Sequence, residues 1–217
     1  MDENENENIV NVLLSRFANA IMASLLWILF CIPVFTIGPS TAALYNTAHR
    51  CICNDRDTVW NSFWETFKGR FKICVKYAFF FLLLVAFFFL DWCVTYVLKR
   101  SGNPLGTLNT LCIVMLVIVA LWAIFLFSYL ARFPKDKKHI IKNSFFMLAA
   151  HLPQAVIIVL AVALGVVLIL WRTLFLFVVP GLVAACCEKV IEPVFYKIMT
   201  PEERKHEEEE EELEEGL

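Results

Sequence analysis

The chain has 217 residues, 59% of them hydrophobic, and a mean hydropathy of +0.67, well above the roughly 45–50% apolar content of soluble domains. The excess has to face lipid. A net charge of -2 hides a segregation, with basic residues flanking the apolar runs and acids crowding the two ends; no stretch interleaves a basic face with polar and aromatic residues, which excludes nucleic acid as a partner.

In chain order, "MDENENEN" (residues 1–8) reads as a solvated acidic tail, short and free of positive charge, so readily translocated. No basic n-region with a small-residue cleavage site follows, and no cleavable leader is expected. A first span is expected over Phe17–Phe35. It ends at Pro33, which removes a helix hydrogen bond. Gly38 as N-cap and Pro39 as first residue then restart a helix whose Ser40, Thr41, Ala42 and Ala43 permit close helix approach. Tyr45 and His49, four residues apart, share a face of it. Two readings of this stop and restart stand side by side: a helix cap at the cytoplasmic interface, or a broken helix whose free amides from Gly38 to Thr41 bind a polar substrate.

From Asp57 an aromatic stripe, Trp60, Phe63, Trp64, Phe67 and Phe71, opposes Asn61, Glu65, Lys68, Arg70 and Lys72. This is the pattern of a helix lying in the membrane interface, with a cytoplasmic partner as the other use of that face. A second span, Cys74–Leu98, carries Asp91, the one carboxylate well inside an apolar run. An intramembrane charge is a functional candidate by default. Its place near the outer end also suits pairing with Arg172, Arg100 or Arg16. The third span, Leu108–Leu130, precedes a second interfacial helix in "PKDKKHIIKNSFFMLAAHLPQAV". Pro153–Leu170 is the fourth. Leu174–Cys187, interrupted by Pro180-Gly181, is the weakest; a helix through "EKVIEPVFYKIM" extends it, and a four-span chain with a re-entrant segment stays open. Ten glutamates between Glu202 and Glu215 make an acidic C-terminal tail over residues 200–217.

The expected architecture is therefore all-α: a polytopic membrane protein of about five spans over residues 9–199 with two cytoplasmic interfacial helices. Loop cations set its orientation. Fifteen Lys and Arg fall on one side, among them Arg132, Lys135, Lys137 and Lys138, and four on the other, Arg16, Lys99, Arg100 and Arg172. This predicts the N-terminus outside and the C-terminus in the cytoplasm. Matching Asn61-Ser62-Phe63-Trp64 to Asn143-Ser144-Phe145-Phe146 suggests a parallel repeat of residues 17–98 and 108–170, with 174–199 as an extra helix.

The eight cysteines contain no paired C-x-x-C, and the histidines 49, 139, 151 and 206 are dispersed. The cysteines read as small buried hydrophobes, and neither a metal site nor a cofactor is expected. A Cys93–Cys112 disulfide at the outer ends of spans two and three is geometrically conceivable. No nucleophile triad, H-E-x-x-H or Gly-rich phosphate loop is present, and paired carboxylates facing one cavity are not evident, so no catalytic residues are expected.

The stretch "LLWILFCIPVFTIGPSTAALY" resembles the opening signature of the bacterial YesL family of integral membrane proteins, through Leu25-Leu26-Trp27, Pro33, Thr36-Ile37-Gly38-Pro39 and Ala42-Ala43-Leu44-Tyr45. "FWETFKGRFK", "ARF" and "HLP" follow in the family's order, although Ser24 replaces an expected amide and the acidic tail is outside the pattern. The resemblance implies a bacterial cytoplasmic membrane and an association with carbohydrate utilisation. On it rests the expectation of a non-enzymatic accessory or regulatory component of carbohydrate uptake, with the lipid bilayer and carbohydrate ABC importer subunits as partners. A small secondary transporter and a membrane sensor or scaffold are the alternatives. Neither substrate nor oligomeric state is legible.

Overall fold

The computed structural model describes residues 2–54, 57–101, 107–133 and 140–198, with side chains from Val10 to Tyr196. The C-terminal tail, Arg56, Lys135, Lys137, Lys138, His139 and His206 lie outside the described residues, as do the side chains of the acidic start. Among the described residues there are seven α-helices and no strand: α1 (Asp2–Cys31), α2 (Ile37–Thr47), α3 (Val59–Arg100), α4 (Leu108–Arg132), α5 (Ile140–Ala150), α6 (Leu152–Trp171) and α7 (Val179–Ile198). The protein is all-α. Four helical segments are long and apolar enough to cross a bilayer: Val10–Cys31, Val59–Arg100, Leu108–Arg132 and Leu152–Trp171. They turn Phe79, Phe87, Leu90, Leu160 and Leu164 outward, as a lipid-facing surface requires.

The expected fifth span is not among these four. Its first residues form a 3-10 turn, Thr173–Phe177, and Pro180-Gly181 begin α7 rather than interrupting a span. Proline in a first turn costs no hydrogen bond, because amides there have no partner within the helix.

Chain direction reverses between α1 and α2. Pro33 has an extended backbone, a 3-10 turn Val34–Thr36 follows, and the Thr36 hydroxyl lies 2.6 Å from the carbonyl oxygens of Phe30 and Pro33. Thr36 therefore takes an orphan carbonyl at the end of α1 and occupies the N-cap position of α2. The cap expected at Gly38 is displaced by two residues. Gly38 instead permits a close approach. A Cβ on it would stand 2.7 Å from Ala78 Cβ, 2.8 Å from Phe127 Cε1 and 2.9 Å from the Cys74 carbonyl oxygen. Gly38 is thus packed against α3 and α4, and with Pro39 and Ser40 also buried the first turn of α2 is closed by packing rather than open to a substrate.

Helix α2 is the centre of the molecule. Ala42 and Tyr45 join a core with α3, α4, α5, α6 and α7, whereas Ala43 and Leu44 join a second core with α1, Val59, Phe63 and Phe67. Small side chains allow both contacts at once. A π-helical turn, Ala48–Cys53, continues α2.

Helix α3 overturns the expectation of a separate interfacial helix. It runs unbroken for 42 residues, about 63 Å at 1.5 Å per residue, against a hydrocarbon layer of about 30 Å. Phe63 and Phe67 of the stripe are buried. The Phe30 ring on α1 lies 5.6 Å from Phe63, 5.5 Å from Trp64 and 4.9 Å from Phe67. Trp60 stays exposed, Trp64 and Phe71 are half-buried, Lys68 sits 4.5 Å over the Trp64 ring, and Arg70 is half-buried rather than facing outward. The second elbow is a distinct helix, α5, ending at Ala150, with His151 as the N-cap of α6 and Pro153 in its first turn. In the two segments matched as a repeat, Ser62 and Ser144 are both buried, while Phe63 is buried and Phe145 exposed.

The start of α7 is held on α1. The Gly181 amide donates to Ser24 Oγ at 2.8 Å, and Ser24 in turn donates to the Ala20 carbonyl at 2.8 Å. A Cβ on Gly181 would stand 2.4 Å from that Ala20 oxygen. Gly38→Ala and Gly181→Ala are each expected to destabilise the protein by about 1–3 kcal/mol, as overpacking does. Thermal unfolding in detergent reads this, with Gly69→Ala as the control because nothing lies within 4 Å of that position.

Candidate functional site

Three elements distant in sequence meet at a buried charged centre. The α2 face that carries Tyr45 continues into the π-helical turn with His49 and Cys53; α4 ends in Arg132; α7 presents Glu188 and Glu192, one helical turn apart. His49 Nδ1 stands 2.9 Å from Glu188 Oε1 and 3.9 Å from Glu192 Oε2. Arg132 Nη2 closes a short ion pair with Glu192 Oε1. The Tyr45 hydroxyl donates to Glu192 Oε2 at 3.3 Å. Cys53 adds its thiol to Glu188 by a side-chain hydrogen bond. His49 and Glu188 are buried and Glu192 is half-buried.

The electrostatics follow from the partners. Burial opposes ionisation of Glu188, but hydrogen bonds from His49 and Cys53 and the charges of His49 and Arg132 outweigh it, so its carboxyl sits below the ordinary value of 4.5. Burial, then the hydrogen bond to Glu188, pushes the Cys53 thiol up to about 12. Burial and the charge of Glu192 hold the Tyr45 phenol well above its ordinary value, so it serves as a neutral donor. Two carboxylates face one guanidinium, and a second positive charge has to come from His49 or from a ligand for the centre to be neutral. His49, Glu188 and Glu192 offer ligand atoms all within 4.8 Å of one another, a group able to hold a metal ion.

Of the residues singled out in the sequence, Tyr45 and His49, read as sharing one face, both reach this centre. Pro33, Thr36, Gly38 and Pro39 build the reversal that aims α2 at it, and Ala42 and Ala43 pack that helix. The stripe from Trp60 to Phe71 lies elsewhere, on α3. Asp91 is exposed on α3, and its Oδ2 accepts from Cys112 Sγ at 3.1 Å. Arg172, Arg100 and Arg16 are not its partners in the structure's ion pairs among described residues. Cys93 and Cys112 are free thiols, like the other six cysteines, so the conceivable disulfide is absent.

The sequence reading missed Glu188, Glu192 and Arg132. The first two stood in what read as a helical extension beyond the last span, and Arg132 had been counted only as a loop cation. A usable signal existed: two carboxylates at i, i+4 on α7 are a spacing match for His49 and Cys53 at i, i+4.

Residues 20–92 match the family described as "Protein of unknown function, DUF624". The match takes in the α1–α2 reversal, His49, Cys53 and most of α3, and leaves out Arg132, Glu188 and Glu192. No curated protein and no solved structure matches the chain.

Glu188 contributes stability that is fully present above pH 4.5 and is lost as the pH falls through its lowered value. The gap in unfolding temperature between wild type and Glu188→Gln should therefore be wide at neutral pH and close on acidification. A gap that stays constant from neutral to acid pH would contradict this account of the centre.

Proposed function

We propose that the protein is a non-enzymatic component of a bacterial cytoplasmic membrane, an accessory or regulatory partner of carbohydrate uptake. The observation that carries the docking role is the length of α3. A helix of 42 residues is about twice as long as the hydrocarbon layer is thick, so its N-terminal part projects from the lipid. On that part Trp60, Asn61, Glu65, Lys68 and Lys72 are exposed, while Phe63 and Phe67 are spent on α1. An exposed Trp beside mixed charges suits a protein partner. The carbohydrate context comes from the resemblance to the YesL family; its opening signature, Leu25 to Tyr45, lies within the matched 20–92 region, whereas "ARF" and "HLP" lie beyond it. The proposed partners are the subunits of a carbohydrate ABC importer.

The buried charged centre favours a second reading, a small transporter in which protonation of His49, Glu188 and Glu192 is coupled to movement of α7.

Affinity purification from native membranes separates the two. Accessory function predicts importer subunits in stoichiometric amounts, reduced at least about tenfold in a Trp60→Ala/Lys68→Glu variant, since exposed Trp anchors carry much of an interface's energy. Solitary protein with sugar flux in liposomes would overturn it in favour of transport.

The proposed orientation keeps the N-terminus outside and the C-terminus cytoplasmic. It requires α7, 20 residues long and so about 30 Å, to make the return crossing. Reporter fusions after Arg172 and after Leu217 should report opposite sides; the same side for both would place α7 on the membrane surface.

A further inference from the structure

The charged centre contains more ligand atoms than an ion pair uses. We propose that His49, Glu188 and Glu192 form a binding site for one divalent transition-metal ion of the zinc class, joining α7 to the π-helical turn. This goes beyond the docking role of α3 and is independent of it. It also departs from the expectation drawn from cysteine and histidine spacing, which considered ligands close in sequence and not ligands contributed by two elements.

The geometry supports the assignment in three ways. First, bonds of about 2.0–2.3 Å to a tetrahedral ion place ligand atoms about 3.3–3.7 Å apart. The edges from His49 Nδ1, at 2.9 Å to Glu188 and 3.9 Å to Glu192, bracket that range, and the third edge is within 4.8 Å. Side-chain shifts of about 1 Å or less close the site. Second, an imidazole nitrogen beside two carboxylates suits zinc or cobalt rather than magnesium or calcium, which take oxygen donors, and three protein ligands leave a fourth position for water.

Third, the supporting contacts have the form that metal ligands take. Arg132 holds Glu192 by Oε1 and thereby leaves Oε2 toward His49; Tyr45 donates to that same Oε2. A carboxylate fixed by such outer partners is oriented for an ion.

The test uses the full-length protein in detergent, stripped with a chelator and titrated with Co2+. The expected result is one Co2+ per chain with visible ligand-field bands, displaced by Zn2+. His49→Gln and Glu188→Gln should each weaken binding at least about tenfold. Because those variants touch buried residues, the unfolding temperature of the wild-type protein supplies a reading that does not depend on them: it should rise when Zn2+ is added to the stripped protein, since an ion bound only by the folded state stabilises it.

Three results would overturn the site: folded wild-type protein that takes up no Co2+, uptake undiminished in folded His49→Gln and Glu188→Gln, or a wild-type unfolding temperature that Zn2+ leaves unchanged. Undiminished uptake would assign the ion to the glutamate-rich tail from Glu202 to Glu215, which every variant keeps.

Discussion

The arrangement of the helices depends on one constraint: ionised groups placed among apolar helices must satisfy one another. Desolvating a carboxylate or a guanidinium costs several kcal/mol, roughly, even after relaxation. Glu188 and Glu192 therefore confine α7 to the position where His49, Tyr45 and Arg132 meet them. Hydrophobic contact alone would let α7 slide or rotate against its neighbours, since one apolar surface serves about as well as another. The charged centre specifies a register for α7 on α2 and α4, and losing Arg132 would leave the carboxylate of Glu192 without its ion-pair partner.

That centre is reached only because α2 is thin and well aimed. Thr36 ends α1 and starts α2 within a few residues. Gly38 lets α2 approach the backbone of α3 at Cys74, and the alanines after it divide between two cores. At the other end of the assembly Gly181 and Ser24 bring α7 onto α1 by the same device, a missing Cβ and a hydroxyl bridge. The departure at Ser24 from the amide expected in the signature has a local cause here, because the serine hydroxyl receives the otherwise unsatisfied first-turn amide of α7.

The aromatic stripe on α3 shows how one pattern serves two environments. A helical period identifies a face but not what covers it. Lipid headgroups and a neighbouring helix both select aromatic residues at that spacing, and here Phe30 of α1 takes Phe63 and Phe67. The helix also continues through Lys72 and Lys76 without a break, since Gly69 is its sole helix-disfavouring residue there and no proline follows to end it.

The sequence by itself determined the all-α class, four of the five expected apolar spans, and the stop and restart around Pro33 and Gly38. Each of these is local: lengths of apolar residues, proline geometry and small side chains act within a few turns of the chain. Only the tertiary structure decided which groups form the charged centre. His49 and Glu188 are 139 residues apart, and neither residue's own surroundings name its partner. It also decided that Asp91 binds a thiol rather than an arginine, and that α3 covers α1 as well as facing lipid. Such pairings arise when separate helices compete for the same few satisfactory contacts, and no local pattern records that outcome.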